Sequence, residues 1–461
     1  MSENLLYERK NGFDGIEECE KARIYDFCEE YRIALTVAKT EREFCSMTVK
    51  MLENAGFCSL DEKDNLNAGD RVYSVNRGKG ISAFVIGTEP IKNGVNIVGA
   101  HIDSPRLDLK PQPLYEDNGI AFLKTHYYGG IRKYQWYNIP LSLHGVVVKK
   151  DGTAINISIG EDEGDPIFCI TDLLPHLAAQ YSGKKLSDAF DAEKLNIVVG
   201  NIPCSDAEKE KVKYGVMKFL NEKYEISEAD LMSSELELVP AFAARDLGFD
   251  RSMIAGYGHD DRVCAYTAIR AIIDTVKPDK TAVCLLVDKE EIGSMGNTGM
   301  QSRNFENVLA KVCSLSCGEY SELTLRECLS NSQCLSADVG AAYDPNFPEV
   351  FERNNSSYIN EGLLLTKYTG ARGKSGSSDA SAEFVAKIRG IFEDNGVVWQ
   401  SGELGKIDVG GGGTIAQFVA NLDVDVIDCG VTLLGMHSPS EVAGKFDIYM
   451  AYKGYKAFMN S

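Results

Sequence analysis

VCLLVDKEEIGSMG, residues 283–296, is the stretch from which the fold of this chain can be read. An apolar run, Val283 to Val287, stops at Asp288. Glu290 and Glu291 follow, and then Gly293, Ser294 and Gly296. The first part has the composition of a fully buried strand, and the second that of a tight, exposed turn. Adjacent carboxylates at the carboxyl end of a buried strand are costly unless a positive charge meets them. A metal ion would supply that charge.

The surrounding chain has 461 residues and is 44% hydrophobic, enough for a large core and more than one domain. Helix-like and strand-like stretches alternate, which predicts an α/β fold. A net charge of −20 without any basic block argues against nucleic acid and anionic membrane as partners. No apolar run approaches the ~20 residues that a membrane helix needs. The opening MSENLLYERKNGFDG lacks the charged-then-apolar form of a signal peptide. The 13 cysteines form neither a disulfide framework nor a zinc-ribbon spacing, with Cys313 and Cys317 as the nearest pair. Together these features predict a protein of the reducing cytoplasm.

On the amino-terminal side, apolar spacing predicts two helices over residues 21–55 with Gly56 as the stop. Paired strands are expected at 73–74 and 81–88, and a third over 95–100 (VNIVGA). This third strand runs into His101-Ile102-Asp103, where the i, i+2 spacing puts both side chains on one side of an extended chain. Such a pair suits a metal-ligating imidazole and a carboxylate that orients its neighbours, although HxD alone is common at surfaces. Residues 106–244 change character, with a proline-rich start, an aromatic HYYGGIRKYQWY (126–137), a hairpin around Asp151-Gly152 and a helix over 205–224 opened by Ser205-x-x-Glu208. A short helix is expected at 171–180. This region reads as an inserted β-rich domain whose aromatics suit either an interface or a second core.

On the carboxyl-terminal side, GYGHDDR (256–262) sets Asp260 and Asp261 before an amphipathic helix. N-capping explains one of the two carboxylates but not both, and His259 reads as structural. LSAD (335–338) is another short strand ending in a carboxylate, and Asp379 is placed to cap a helix over 380–392. The basic loop KYTGARGKSGSS contains Arg372 and Lys374. DVGGGGT (408–414), with Gly411, lacks the lysine and spacing of a nucleotide loop and fits a run of N–H groups that approach a carbonyl or carboxylate. The last strand leads to GMHSPSE, where Ser438-x-x-Glu441 with Pro439 predicts a helix running on to 459 and places His437 just before it.

Five pieces therefore share one placement. His101, Glu290/Glu291, Asp338 and His437 follow apolar strands, and Asp260 precedes a helix. In open α/β sheets the site lies beyond the carboxyl ends of the strands. Two histidines and at least three carboxylates suit two divalent metals sharing a bridging carboxylate. Nitrogen and oxygen donors without cysteine favour zinc, with cobalt or manganese as alternatives. Two metals about 3.5–4 Å apart can hold a bridging water and lower its pKa to about 7. One carboxylate must stay uncoordinated to move the proton, and adjacent Glu290 and Glu291 can divide the duties of base and ligand.

The stretches GAHIDSPRLDLK, GHDDR, DKEEIGS, SADVGAAYDPN and GMHSPSE, in this order from residue 99 to 441, resemble the M18 aminopeptidases, the aspartyl aminopeptidase family among the co-catalytic zinc aminopeptidases. The resemblance implies a three-layer α/β sandwich with a mixed central sheet, formed by residues 1–105 and 245–461, and an inserted β-rich dimerisation domain over 106–244. It implies that His101 and Asp338 bind one metal, Glu291 and His437 the other, and that Asp260 bridges them. Glu290 is implied as general base and Asp103 as the orienting residue, with a cis peptide between Asp260 and Asp261. It further implies a tetrahedral homododecamer built from dimers, with a histidine of the inserted domain reaching a neighbour's site. His176 is the matching position, with His126 and His144 as alternatives. It implies peptides with an acidic or a neutral amino-terminal residue as the substrate class. Arg372 and Lys374 are the candidates for an acidic side chain, beside Gly411 of the glycine run. Two other classes remain from the residues alone: a non-catalytic shell that keeps the fold, which an intact Glu290 argues against, and a di-metal phosphoesterase.

Overall fold

The computed structural model describes residues 5–318 and 320–461. The first four residues, which open the stretch read above against a signal peptide, lie outside it. The chain divides into two compact units. One comprises residues 1–103, 244–436 and 440–461, and the other residues 104–243 and 437–439.

The first unit is built on a nine-stranded mixed sheet. Its strands in chain order are β1 (Cys58–Ser59), β2 (Arg71–Val75), β3 (Ile81–Val85), β4 (Val95–His101), β5 (Thr281–Val287), β6 (Gln333–Ser336), β7 (Leu363–Thr366), β8 (Trp399–Ser401) and β9 (Asp425–Gly430). In space they run β1-β2-β3-β5-β4-β6-β9-β7-β8. The middle four, β5, β4, β6 and β9, are mutually parallel, whereas β3 and β7 join them antiparallel.

Period-two alternation explains the layers. Ala282, Cys284 and Leu286 of β5 join Val98 and Ala100 of β4 in one apolar cluster, with residues of the helices α1 (Glu18–Val37), α2 (Glu41–Asn54) and α3 (His259–Ile273) and of the last helix, Lys445–Met459. Val283, Leu285 and Val287 join Ile97 on the opposite face, against Phe305, Val308 and Leu309 of the helix Asn304–Cys317 and Leu325 of Glu322–Ser330. All seven residues of β4 and of β5 are buried. Each large aliphatic side chain so placed contributes about 1.5–3 kcal/mol. The three-layer α/β sandwich expected from the sequence is thus present. A smaller five-stranded sheet, in the order Arg245–Leu247, Met253–Gly256, Glu441–Gly444, Thr432–Leu434 and Gly340–Ala341, completes the unit.

The second unit is a six-stranded sheet ordered Ala154–Ile159, Leu141–Val148, Ser234–Pro240, Arg106–Asp117, Ile120–Tyr128 and Asn196–Gly200. Every neighbouring pair is antiparallel. The proline-rich start lies inside Arg106–Asp117, where the pairing register shifts between Leu109 and Leu114 and so accommodates residues that cannot donate to the ladder. Trp136 is fully buried and belongs to a core, whereas Tyr127 and Tyr134 are more than a third exposed.

Several local expectations fail for identifiable reasons. Ser205-x-x-Glu208 opens no helix. The helix is Lys211–Tyr224, and Glu210 precedes it in a left-handed conformation without a side-chain cap. Residues 171–180 form only a 3-10 turn, Pro175–Leu177. The helix near 380 is Ala382–Asp394, capped by Ser381, because Asp379 pairs with Lys367 and Lys374 instead. Ser438-x-x-Glu441 is not a capping box, since Glu441–Gly444 is a strand held between two others and the last helix starts at Lys445. All 13 cysteines are free thiols. Among the described residues no helix is long and apolar enough to cross a membrane.

Candidate metal centre

The parallel strands of the first unit deliver the chemistry to their carboxyl ends. β4 ends at His101, Asp103 lies two residues beyond it, β5 is followed by Glu290 and Glu291, and β6 by Asp338. Asp260 and Asp261 lie in the first turn of α3, where both have non-helical dihedrals and the peptide bond between them is cis, as the resemblance implied.

These side chains form two overlapping groups. His101, Asp260 and Glu291 make one, and His101, Asp261 and Asp338 the other. Within each group the donor atoms lie within 4.8 Å of one another. His101 is buried, and its Nδ1–H faces the Asp103 carbonyl at 3.0 Å and Asp103 Oδ1 at 3.2 Å. That arrangement leaves Nε2, 3.1 Å from Asp260 Oδ1 and 3.9 Å from Glu290 Oε2, as the nitrogen that can bind a metal once its proton is displaced. The fully buried Asp103 also accepts the Glu290 N–H at Oδ1 (3.1 Å) and the Glu291 N–H at Oδ2 (3.2 Å). One carboxylate thereby couples the imidazole after β4 to the turn after β5.

The electrostatics of the cluster suit a cation. Burial, reinforced by neighbouring acids, holds the carboxyls of Asp261 and Asp338 well above the usual carboxylate range. Burial would lower the pKa of His101, but its hydrogen bonds to Asp103 and Asp260 outweigh that effect and raise it well above normal. Buried acids that each oppose the ionisation of the next are a group whose combined charge a divalent cation compensates. The donor set, imidazole and carboxylate oxygen without thiolate, suits zinc, cobalt or manganese. The residues therefore fit a metal.

Further residues support the centre. Asp261 stands with His101 and Asp338, and its Oδ2 accepts the His101 N–H at 3.3 Å. Glu441, read above as part of a cap, accepts the Asp260 N–H at 3.1 Å. Arg262 is fully buried and donates to the carbonyls of Gly258 (3.0 Å), Tyr257 (2.7 Å) and Ala38. It thereby clamps the turn that launches α3. Gly258 has φ +74° there, and a Cβ on it would lie 1.6 Å from Arg262 Nη2. His259 is structural. Its Nδ1 meets the Tyr31 hydroxyl at 2.8 Å, and burial followed by the Arg262 charge pushes its pKa down to about 3.

The remaining candidates belong to neither donor group. Lys374 pairs with Asp379 at 3.1 Å and lies 3.9 Å from the centroid of the Tyr368 ring, while Arg372 lines the same pocket beside Glu403. Gly411 has φ +126°, with its backbone against Gly370 and Ala371. His437 groups with the second unit, where its Nδ1–H donates to the Gly130 carbonyl at 2.8 Å, leaving Nε2 as the lone-pair nitrogen. His176 sits in the exposed 3-10 turn of that unit. His126 is exposed, and His144 is buried against Ser142 and Glu161.

Comparison with known proteins identifies the family. The family model described as "Aminopeptidase I zinc metalloprotease (M18)" matches residues 35–459. A "Probable M18 family aminopeptidase 1" of Clostridium acetobutylicum is 51% identical over the full length of both chains. The crystal structure of an M18 aminopeptidase from Thermotoga maritima superposes with a TM-score of 0.95 at 47% identity, covering 99% of this chain and 100% of that one. The S. cerevisiae mApe1, solved as a dodecamer, is 22% identical with a TM-score of 0.77 over 95% of this chain and 97% of that one, and shares the fold. Neither a shell protein nor a phosphoesterase is favoured by these matches. With a metal-fitting centre on an α/β sandwich, and relatives that match from end to end, the chain belongs to the M18 family of zinc metalloproteases and is an aminopeptidase.

Proposed function

We propose that the chain removes the amino-terminal residue from peptides with Glu290 as general base and two divalent metals, zinc first among them, as cofactors. His101 and Asp338 would hold one ion, Glu291 and His437 the other, and Asp260 would bridge them. The observation that supports this reading is that four of the five proposed ligands, His101, Asp260, Glu291 and Asp338, fall in the two donor groups, to which His437 is added from the resemblance. Asp103 ties them to the Glu290 turn. Bound there, divalent cations would polarise the scissile carbonyl and lower the pKa of water.

The protein's own share is positioning and proton movement. Asp103 holds the His101 tautomer through Nδ1 and aims the Glu290 and Glu291 backbone. The Glu290 carboxylate takes the proton of the attacking water and returns it to the leaving amine. Asp261 and Glu441 fix the first turn of α3 through the N–H groups of His101 and Asp260.

Acidic and neutral amino-terminal residues are both compatible with the basic loop. The Lys374–Asp379 pair must open before Lys374 can serve an acidic side chain, whereas a neutral one leaves it closed. Arg372 and Gly411 complete this proposed substrate contact. The second unit is proposed as the dimerisation module of a homo-oligomer. A tetrahedral dodecamer of dimers is the proposed form, in which His176 reaches a neighbouring site. The cytoplasm is the proposed compartment.

The test is a panel of aminoacyl reporters, with aryl phosphates alongside, run on chelated enzyme re-supplied with single metals, for the wild type and for Glu290→Gln. The substituted enzyme is expected to lose turnover while keeping its metal and assembly. Cleavage confined to N-blocked peptides, or undiminished turnover of Glu290→Gln, would refute the proposal.

A further inference from the structure

We infer that Asp288 and Thr298 form a positioning pair that sets the direction from which the chain enters the Glu290 turn. The inference rests on the reading of Glu290 as general base. Asp288 is the first residue past β5 and is 1% exposed. Its Oδ2 accepts the Thr298 hydroxyl at 2.6 Å, and its N–H donates to the Thr298 carbonyl at 3.2 Å. Lys289 Nζ lies 3.1 Å from the same Oδ2. Thr298 is 3% exposed. Backbone and side chain thus both close the segment 288–298 on itself, away from solvent.

The closed segment needs such a fastening. Lys289 (φ 66°) and Ser294 (φ 58°) are non-glycine residues in the left-handed region, and Gly293 (φ 94°) lies between them. Left-handed non-glycine residues are strained and persist only where their surroundings over-determine them. Here the Ser294 N–H donates to the Lys289 carbonyl (2.6 Å), Gln301 Nε2 donates to the Gly293 carbonyl (2.8 Å), and Asn76 Nδ2 donates to the Asn297 carbonyl (3.0 Å). Glu290 therefore sits between two anchors. Asp103 receives its N–H directly, and the Asp288–Thr298 pair fixes the backbone two residues upstream. A short hydroxyl bond to a carboxylate, shielded from water, is the stronger kind of closure.

The test is a double-mutant cycle on the metal-loaded enzyme. Thr298→Val is nearly isosteric and removes only the donor, whereas Thr298→Ser keeps it. Each is measured for kcat, KM and bound metal with an aminoacyl reporter, alone and with Glu290→Gln. Thr298→Val is expected to lower kcat about ten- to a hundredfold, the range produced by misplacing a catalytic group, with KM and metal content unchanged. Thr298→Ser is expected to restore kcat. Adding Thr298→Val to Glu290→Gln is expected to change the residual rate by less than about twofold, because the pair acts through that one side chain. If Thr298→Val fails to fold, Asp288→Asn takes its place in the same cycle. Wild-type kcat in Thr298→Val, an equal loss with and without Glu290, or a loss that tracks bound metal would overturn the positioning role. Wild-type turnover in Glu290→Gln alone would instead remove the base on which the inference rests.

Discussion

Asp103→Asn is the most informative perturbation of the centre. The native carboxylate meets three N–H groups, from Glu290 (3.1 Å), Glu291 (3.2 Å) and His101 Nδ1 (3.2 Å). An asparagine has the same shape but one acceptor oxygen. Whichever way its amide is turned, a donor NH2 faces one of the two backbone N–H groups. Losing one charged hydrogen bond costs about 1.5–3 kcal/mol, and the N–H left unsatisfied adds about 1–3 kcal/mol. Much of this is relieved if the turn moves, and moving the turn misplaces Glu290 and Glu291 together. The expected outcome is a loss in kcat/KM of about a hundredfold or more. Metal affinity should fall by about ten- to a hundredfold, as for other partners of metal-bound histidine. The assay is steady-state hydrolysis of an aminoacyl reporter in metal-buffered solutions, which separates weaker loading from slower turnover at saturating metal. Asp103→Asn with kcat/KM and metal affinity both within about threefold of wild type would show that this carboxylate is a bystander.

Three further outcomes follow from other parts of the structure. Burial raises the Asp428 carboxyl from 3.8 to about 6, with its Oδ1 accepting the Thr414 hydroxyl at 2.7 Å. Because the folded pKa lies above the unfolded one, this contribution to stability is complete below pH about 4 and is lost as pH rises through about 6. Asp428→Asn, which cannot ionise, should gain stability over wild type by at most about 3 kcal/mol above that window and none below it, as measured by denaturant unfolding at both ends. Gly258→Ala should lose about 3 kcal/mol or more, seen as a lowered Tm, because the new Cβ meets Arg262 in a left-handed turn. Chelation should abolish activity and also lower Tm, since His101 and the acids around it would be left with uncompensated charge; an unchanged Tm would count against a metal there.

The sheet and the acids at its ends were legible because both depend on local pattern. The residues of β4 and β5 alternate between two apolar layers, and a carboxylate or imidazole just past an apolar run is visible without any partner. What was missed depends on partners far along the chain. Ser438-x-x-Glu441 matches a helix start, but Glu441 is drawn to the N–H of Asp260, and its backbone pairs with Met253–Gly256. Asp379 has the type of a cap, but two lysines take it first. Conversely, the working capping box at Thr40 and Glu43 was passed over in a stretch already read as helical. Arg262 gave no signal, because its three acceptors are backbone carbonyls, which any sequence provides. Asp261 was noticed as one carboxylate too many for a cap, and its grouping with His101 and Asp338 accounts for the surplus.

The order of strands in the central sheet bears on how the chain is made. β3 and β4 are separated in space by β5, yet β5 begins at Thr281, long after both have left the ribosome. Until then β3 is paired on one side only, with β2, and β4 has neither of its neighbours, β5 and β6, while residues 104–243 are being synthesised in between. Chains that stop short of Val287 would therefore leave one edge of β3 and both edges of β4 unpaired, open to pairing with other chains.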